Sequence, residues 1–241
     1  MKPPSFDYHR PASVAEALTV LAELGPDAKV LAGGQSLVPL LNMRLAAPKA
    51  LVDINRLTEL ATVTSDEQGV RVGAGVRHAH LAGAAGTPLL SLLAEATRLV
   101  AHGTIRNRGT TVGSLVHADP AAEMPAALLL CDGAVEIASA AGTRRVPAAE
   151  FFVGPLESAV QPGELAVAAT FPALPPRTGG AFVEVSRRAG DYALVGLGIT
   201  VTLDSTGAVA AVRAAYLSVG PTPVLVDLTD AVSGSLASGS T

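Results

Sequence analysis

A glycine-containing segment near the N-terminus offers the chemistry of an anion site. Its sequence is Ala32-Gly33-Gly34-Gln35-Ser36, and it lies between a predicted strand and a predicted helix. Adjacent glycines permit positive φ and let several N–H groups point to one centre, to which the serine adds a hydroxyl group. The segment therefore suits a pyrophosphate, but Gly-Gly turns also occur without a ligand, and that structural alternative stays open. The segment is neither a Walker A loop nor a GxGxxG fingerprint.

A second polar segment runs from Ile105 to Glu123. Its glycines permit close approach to the backbone, and its hydroxyl groups suit phosphate or sugar oxygens. Its candidate ligands are Gly109, Thr110, Thr111, Gly113, Ser114 and Glu123. Taken singly, Arg106 and Arg108 also fit a surface ion-pair role, and His117 fits a structural histidine, so these alternatives stay open.

A third candidate is Tyr192, which ends the sequence Arg187-Arg188-Ala189-Gly190-Asp191-Tyr192 between two predicted strands. A tyrosine at the end of a glycine-containing loop can stack on a planar ring. It can equally be a half-buried strand residue, and the residues alone do not separate the two interpretations.

The composition argues against some classes of function. The chain has 241 residues, a net charge of −4 and 3% aromatic residues, which argues against a nucleic-acid ligand. Its residues are 49% apolar and its mean hydropathy is +0.42. These values predict a surface partly covered by other proteins, or they reflect a general bias towards Ala, Val and Leu; both interpretations stay open.

Cys131 is the single cysteine, so the chain cannot form an internal disulfide or hold an iron–sulfur cluster by itself. The apolar run Ala126–Leu130 before it favours a buried, unreactive thiol. The N-terminus has no apolar leader, and no stretch reaches the roughly 18 apolar residues of a membrane span. We therefore expect a cytoplasmic protein with no membrane span, whose metal centres belong to other chains.

Helix and strand patterns must position these segments. Ser13 and Glu16 have capping-box spacing at the start of a predicted helix, Val14–Leu24, which Gly25 ends. The second polar segment is predicted to lie in a long loop, Ala101–Pro120.

The other predicted elements follow from apolar periodicity. They are strands at Lys29–Ala32, Ala50–Ile54, Ala134–Ser139 and Leu165–Phe171, a hairpin at Ala61–Ala74, helices at Leu37–Leu45, His78–Val100 and Ala121–Leu130, and antiparallel strands at Phe182–Arg187, Tyr192–Leu203 and Val209–Val219. The last residues, about twenty in number, are low in complexity and are predicted to fray.

Three runs of residues together resemble a known family. They are AGGQSLVPLLNMRL at 32–45, TIRNRGTTVGSLVHADPAAEMPAALL at 104–129 and EVSRRAGDYALVG at 184–196. In this order they are similar to motifs of the FAD-binding medium subunit of molybdenum hydroxylases, of the carbon monoxide dehydrogenase medium-chain type. The likeness extends over residues 3–226, which is nearly the whole chain.

The resemblance implies an α+β fold with two FAD-binding lobes, similar to that of vanillyl-alcohol oxidase and p-cresol methylhydroxylase. A C-terminal α+β domain, shortened relative to the family, would follow. The expected domains are 1–57 and 58–176 for the two lobes and 177–241 for the C-terminal domain, with FAD between the lobes.

The resemblance also implies the ligands of FAD. The pyrophosphate would lie on Ala32, Gly33, Gly34, Gln35 and Ser36, and the phosphate and ribityl contacts would be completed by Thr110, Thr111, Gly113 and Ser114. Asp119 belongs to the same set, Glu123 would stand where the family has an aspartate to the ribityl chain, and Tyr192 would lie beside the isoalloxazine. Val112 replaces a glycine of the family pattern, so either the backbone angle or the close approach of a phosphate is expected to differ there. No histidine or cysteine occurs in the first or third motif, which implies non-covalent FAD.

The implied function is electron transfer through FAD to an external acceptor. Its partners would be a large subunit with the molybdenum cofactor and a small subunit with [2Fe-2S] clusters. One alternative is a stand-alone FAD-dependent oxidase, monooxygenase or biosynthetic enzyme on the same fold. Another is an interaction module without a cofactor.

Overall fold

The computed structural model describes residues 2–232, which form three larger sheets with helices between them. This mixture of helices and sheets confirms the expected α+β class. The first sheet has the order β1-β3-β2 with parallel pairing. The elements of this part are β1 (Asp7–His9), α1 (Val14–Leu24), β2 (Ala28–Leu31), α2 (Leu37–Asn42) and β3 (Ala50–Asp53).

The capped helix α1 has the bounds that its sequence predicts. The hydroxyl oxygen of Ser13 accepts a hydrogen bond from the N–H of Glu16 at 3.1 Å, and Gly25 ends the helix at φ +53°. The helix buries Ala17 and Leu21 against the core. The central strand β3 is buried at all four positions, as expected of a parallel strand that is covered on both faces.

The second part is built on a five-stranded antiparallel sheet with the order β4-β5-β10-β6-β7. Every residue of α7 is buried, so this helix lies at the centre of the core. The elements are β4 (Val63–Asp66), β5 (Gly69–Gly73), α3 (His78–Ala82), α4 (Pro88–Leu99), α5 (Gly103–Arg106), α6 (Thr111–His117), α7 (Glu123–Leu130), β6 (Ala134–Ser139), β7 (Gly142–Pro147), α8 (Ala148–Phe151), β8 (Phe152–Gly154), β9 (Glu157–Ser158) and β10 (Leu165–Pro172).

The third part is an antiparallel sheet with the order β11-β12-β13-β14. Its strands are β11 (Thr178–Val185), β12 (Val195–Leu203), β13 (Val209–Leu217) and β14 (Val224–Asp227), followed by α9 (Thr229–Val232). One face of this sheet packs on α4 and α7. The approach is close: a Cβ atom at Gly198 would lie 2.8 Å from the ring of Phe182 and 3.0 Å from Leu130.

Four predicted elements need correction. The helix predicted at His78–Val100 is two helices, α3 and α4, which residues 83–87 separate. The loop predicted at Ala101–Pro120 is wrong, because α5 and α6 lie within it. Helix α2 ends at Asn42, since Arg44 takes a φ of +59° and cannot continue a right-handed helix. Strand β12 begins at Val195 and not at Tyr192, which lies in the preceding loop.

The predicted fraying covers about the last twenty residues. It is wrong for residues 224–232, which contain all of β14 and α9, and residues 233–241 lie outside the described part of the chain. No helix within residues 2–232 is both long enough and apolar enough to cross a membrane. The domain boundaries expected from the sequence stay predictions.

Candidate functional site

The two glycine turns lie in direct contact. A Cβ atom at Gly33 would overlap the carbonyl oxygen of Arg108 and would lie 2.6 Å from the Cα atom of Gly109. Only a residue without a side chain allows the first turn to approach the second this closely. Gly34 has a different role, because it takes a φ of +74°, which L side chains rarely adopt.

Asn55 and Arg77 connect the two turns by hydrogen bonds. The Asn55 amide donates to the carbonyl oxygen of Ala32 at 2.8 Å, and its oxygen accepts from the Arg77 guanidinium at 2.7 Å. Arg77 also donates to the carbonyl oxygen of Arg108. Sequence reasoning missed both residues, since one asparagine after a strand and one arginine before a helix carry no distinctive spacing.

A cavity of about 520 Å³ lies beside the paired turns. Most of the predicted site residues line it: Ala32, Gly33, Gly34, Gln35, Ser36, Thr110, Gly113, Ser114, Asp119, Glu123 and Tyr192. Thr111 does not, because it is fully buried in α6. The sequence analysis did not single out several further lining residues, among them His78, Leu156, Val160 and Glu164.

The first turn presents a set of free donors to this cavity. Within residues 2–232, the N–H groups of residues 33–36 donate no hydrogen bond to another part of the chain. The Gln35 amide donates to the carbonyl oxygen of Gly33 at 2.9 Å, which stabilises the turn without occupying those N–H groups. Unpaired backbone donors on a cavity wall suit an anion such as a phosphate group.

Thr110 has a structural role that its pattern did not reveal. Its hydroxyl oxygen accepts a hydrogen bond from the N–H of Gly113 at 3.1 Å and so caps α6. Thr111 is 0% exposed, and its hydroxyl group has no hydrogen-bond partner among the described residues. Val112 lies in α6 without a positive φ, so the backbone accommodates a valine there without strain.

Two ionisable side chains that line the cavity, Glu123 and His78, are held in uncharged forms by burial. Burial, together with the nearby Glu184 and Asp119, raises the pKa of Glu123 to about 8, against the opposing effects of a backbone hydrogen bond and of Arg106. Burial, assisted by Arg106, lowers the pKa of His78 to about 4. At neutral pH both groups are therefore neutral. His78 lies beside Gly109 at the paired turns, to whose carbonyl oxygen its backbone N–H donates at 2.9 Å. The neutral carboxyl group of Glu123 suits hydroxyl groups better than phosphate charges.

The surroundings of Arg106 and Tyr192 bear on the alternatives that the sequence left open for each of them. Arg106 is not part of a surface ion pair, because its guanidinium donates to the carbonyl oxygens of Arg98, Val100 and Ala101 at 2.8–3.1 Å. Tyr192 is 74% exposed at the cavity edge. Partial burial of its hydroxyl group, together with the nearby Asp119 and Glu123, raises its pKa.

Two other residues from the sequence analysis have clear surroundings. His117 lines the cavity, and burial lowers its pKa against the opposing effect of Asp119. Cys131 is buried, and burial raises the pKa of its thiol to about 12, which agrees with an unreactive thiol.

These features fit FAD. A cavity of this volume is in the usual range for small-molecule and cofactor sites. Free N–H groups at one end suit a pyrophosphate, and neutral polar groups at Glu123 and Ser114 suit a polyol and a ring system.

Family comparisons agree with this chemistry. Residues 4–174 match the family described as the FAD binding domain in molybdopterin dehydrogenase, and residues 180–235 match the CO dehydrogenase flavoprotein C-terminal domain. The 6-hydroxypseudooxynicotine dehydrogenase complex subunit alpha of Paenarthrobacter nicotinovorans is 48% identical over 225 residues, which cover 93% of this chain and 76% of that protein. The carbon monoxide dehydrogenase medium chain of Hydrogenophaga pseudoflava is 38% identical, over 92% of this chain and 77% of that one.

Solved structures show the same relationship. Carbon monoxide dehydrogenase from Hydrogenophaga pseudoflava, in a form that lacks the Mo-pyranopterin moiety of its cofactor, matches with a TM-score of 0.90 and 36% identity. The match covers 100% of this chain and 83% of that chain. Quinoline 2-oxidoreductase from Pseudomonas putida 86 matches with a TM-score of 0.90 and 37% identity, over 99% of this chain and 83% of that one. The chain therefore belongs to the FAD-binding medium subunits of molybdenum hydroxylases, the family of the carbon monoxide dehydrogenase medium chain.

Proposed function

We propose that this chain is the electron-transferring flavoprotein subunit of a molybdenum hydroxylase-type dehydrogenase. Its partners are a large subunit with the molybdenum cofactor and a small subunit with [2Fe-2S] clusters, and the assembly is cytoplasmic. When bound, FAD supplies the redox chemistry that carries electrons from the clusters to an external acceptor. The contact between the two glycine turns carries the proposal, since it brings both motifs to one cavity.

The chain's own residues bind and orient the cofactor. The free N–H groups of residues 33–36 hold the pyrophosphate, with the Ser36 hydroxyl beside them. Thr110, Gly113 and Ser114 make phosphate and ribityl contacts, and the capping role of Thr110 leaves its second lone pair available. Thr111, which the family resemblance also implied, is left out of this set because it is fully buried and does not line the cavity.

Three residues complete the proposed site at its other end. Neutral Glu123 can both donate and accept a hydrogen bond to a ribityl hydroxyl, and Asp119 lies near it on the same wall. Tyr192 lies beside the isoalloxazine, where a large exposed aromatic ring gains burial when a planar group covers it.

The flavin assignment is tested by the Gly33→Ala variant. We expect purified wild-type protein to show a flavin spectrum, with the colour released to the supernatant on acid precipitation. The added methyl group would overlap the Arg108 carbonyl and separate the two turns, so the variant should lose most of its flavin. The added methyl group would not block the phosphate directly, because neither the Gly33 nor the Gly34 Cβ position points to an open cavity.

Gly179→Ala is the matched control, because it adds the same methyl group where nothing lies within 4 Å. It should keep the wild-type absorbance ratio at 450 and 280 nm. Full flavin content in Gly33→Ala, or colour retained in the acid pellet, would contradict the proposed site or its non-covalent bond.

The partner assignment is tested by affinity purification of the tagged chain from its native host. We expect co-purification of one protein with a molybdenum cofactor and one with [2Fe-2S] clusters, both detected by metal analysis and absorption spectroscopy. A flavin-loaded chain that purifies without either partner would refute the electron-transfer role and favour a stand-alone flavoenzyme.

A further inference from the structure

The turn that joins β8 to β9 has a leucine where glycine or asparagine is usual. Gly154 of β8 pairs with Glu157 of β9, so Pro155 and Leu156 form the whole turn. Leu156 takes a φ of +59°, a left-handed conformation. After a proline, a turn residue with positive φ is normally glycine or asparagine. In a leucine this conformation brings the Cβ atom too close to the following carbonyl oxygen, so it is strained.

Packing of the core does not explain this leucine. Within residues 2–232, Leu156 belongs neither to the buried core nor to the partly buried apolar residues that pack on it. Phe152 and Ala159, at the base of the hairpin, are both in that packed set. Core contacts therefore hold the base of the hairpin, and a glycine in place of Leu156 would leave them unchanged while it relieved the strain.

The tip of the hairpin forms part of the wall of the cavity at the candidate site. Leu156 lines this cavity. Its N–H donates to the carbonyl oxygen of Ala118 at 2.9 Å, which fixes the tip against the end of α6. His117 and Asp119, on either side of Ala118, also line the cavity. The leucine is therefore held beside the stretch of wall between the end of α6 and the start of α7.

The left-handed backbone at Ala118 has a different explanation. Ala118 takes a φ of +52° and ends α6, and its N–H donates to carbonyl oxygens of the last helical turn. A left-handed residue commonly ends a helix in this way. Leu156 follows no helix, and its turn would form more easily with glycine. Strained residues without a reason in folding are typical of ligand-binding sites, and Leu156 lines such a site.

The type of side chain limits what Leu156 can contact. Leucine has no group that donates or accepts a hydrogen bond, so it suits neither a phosphate nor a ribityl hydroxyl group. It suits a ring, because the burial of apolar surface on both partners is favourable. Of the two ring systems of FAD, the isoalloxazine is the one proposed near Glu123 and Tyr192, which line the same cavity as Leu156. The isoalloxazine ring is therefore the part of FAD that fits this position.

We propose that Leu156 covers part of the isoalloxazine ring of bound FAD, and that the strained turn positions the leucine for this contact. The inference rests on the FAD binding proposed above and adds one residue to that site. Glycine or asparagine would make the turn easier to form, but neither would supply the apolar contact. The leucine therefore lowers the stability of the empty protein and raises the affinity for flavin.

The test measures the FAD affinity and the stability of the chain with Leu156→Asn. Asparagine tolerates a positive φ but removes the apolar contact. We expect the dissociation constant for FAD, from a fluorescence titration of flavin-free protein, to rise about tenfold, since this is the scale of a lost leucine contact. The urea midpoint of the flavin-free variant should equal or exceed that of wild type. Leu156→Met keeps an apolar side chain and should bind FAD within about threefold of wild type.

Arg177→Asn is the matched control, because Arg177 takes a φ of +60° and lies outside the cavity. It should likewise keep or raise the urea midpoint, with no change in the affinity for FAD. An unchanged affinity in Leu156→Asn overturns the inference. So does a weaker affinity together with a lowered urea midpoint, because the leucine would then serve folding. Wild-type protein that binds no FAD overturns the proposed function itself.

The absorption spectrum of the bound flavin tests which ring Leu156 contacts. We expect the visible band to shift in Leu156→Asn, because a polar side chain replaces an apolar one beside the isoalloxazine. A weaker affinity without any shift of this band would place the contact on the adenine and overturn the assignment to the isoalloxazine.

Discussion

Glu123 combines burial with a position on the cavity wall. Its side chain lies at the start of α7 and the residue is 8% exposed, with Glu184 and Asp119 close enough to disfavour its charge. The carboxyl group ionises near pH 4.5 in a model compound and near pH 8 in the folded chain. Between these values the folded chain binds one proton more than the unfolded chain, so a rising pH favours unfolding.

The Glu123→Gln variant should remove this pH dependence. In flavin-free protein we expect wild type and variant to be similarly stable near pH 5, and the variant to be more stable by on the order of 3–5 kcal/mol at pH 8. Urea unfolding from pH 5 to 8.5 measures the difference. Glu150→Gln, at an exposed position, should follow the wild-type curve. Parallel curves for wild type and Glu123→Gln would show that the carboxyl group does not titrate in this range.

Individual residues were predictable only where their type is restricted by geometry. Gly33 and Gly34 stand out because few residues allow close approach or positive φ, and the structure uses one glycine for each purpose. Asn55 and Arg77 connect the turns through contacts between distant parts of the chain. Nothing in the sequence around Asn55 or Arg77 indicates these contacts.

At the scale of elements, α6 shows why the second polar segment was predicted as a loop. The helix has only seven residues, includes Gly113 and begins at the polar pair Thr110-Thr111, so its apolar period is too short to recognise. A threonine before a helix can cap it by accepting a hydrogen bond from the N–H three residues later, and a threonine in the same place can also bind a phosphate. The pattern could not separate these roles, whereas the hydrogen bond to Gly113 shows the first.

The strands were likewise predicted only where their apolar pattern is clear. Ala134–Ser139 has the predicted bounds because four of its six residues are apolar and buried. Strand β7, Gly142–Pro147, was missed because five of its six residues are exposed and two are arginines. An edge strand that faces solvent carries charges that protect it from aggregation. Because these charges interrupt the apolar periodicity, a prediction from that periodicity does not detect the strand.

At the scale of the molecule, the central hypothesis was that two distant turns meet at one cleft. Their contact confirms it, and the family resemblance predicted it where composition and periodicity could not. The apolar face of the C-terminal sheet opposite α4 and α7 was not predicted, because it depends on which side chains of the four strands lie on the same side of the sheet. Only the register of four strands reveals that its apolar residues form two faces.

The two faces of that sheet should contribute differently to the stability of the whole chain. Phe182, on the packed face, is 6% exposed and belongs to a core cluster that includes residues of all three sheets. We expect Phe182→Ala to lower the free energy of unfolding by about 3–5 kcal/mol, with flavin release and loss of helical circular dichroism at the same urea concentration. Val153→Ala, at an exposed position, should change it by less than about 0.5 kcal/mol. Flavin release at an unchanged urea concentration in Phe182→Ala would show that the C-terminal sheet unfolds on its own, and that the cavity does not depend on it.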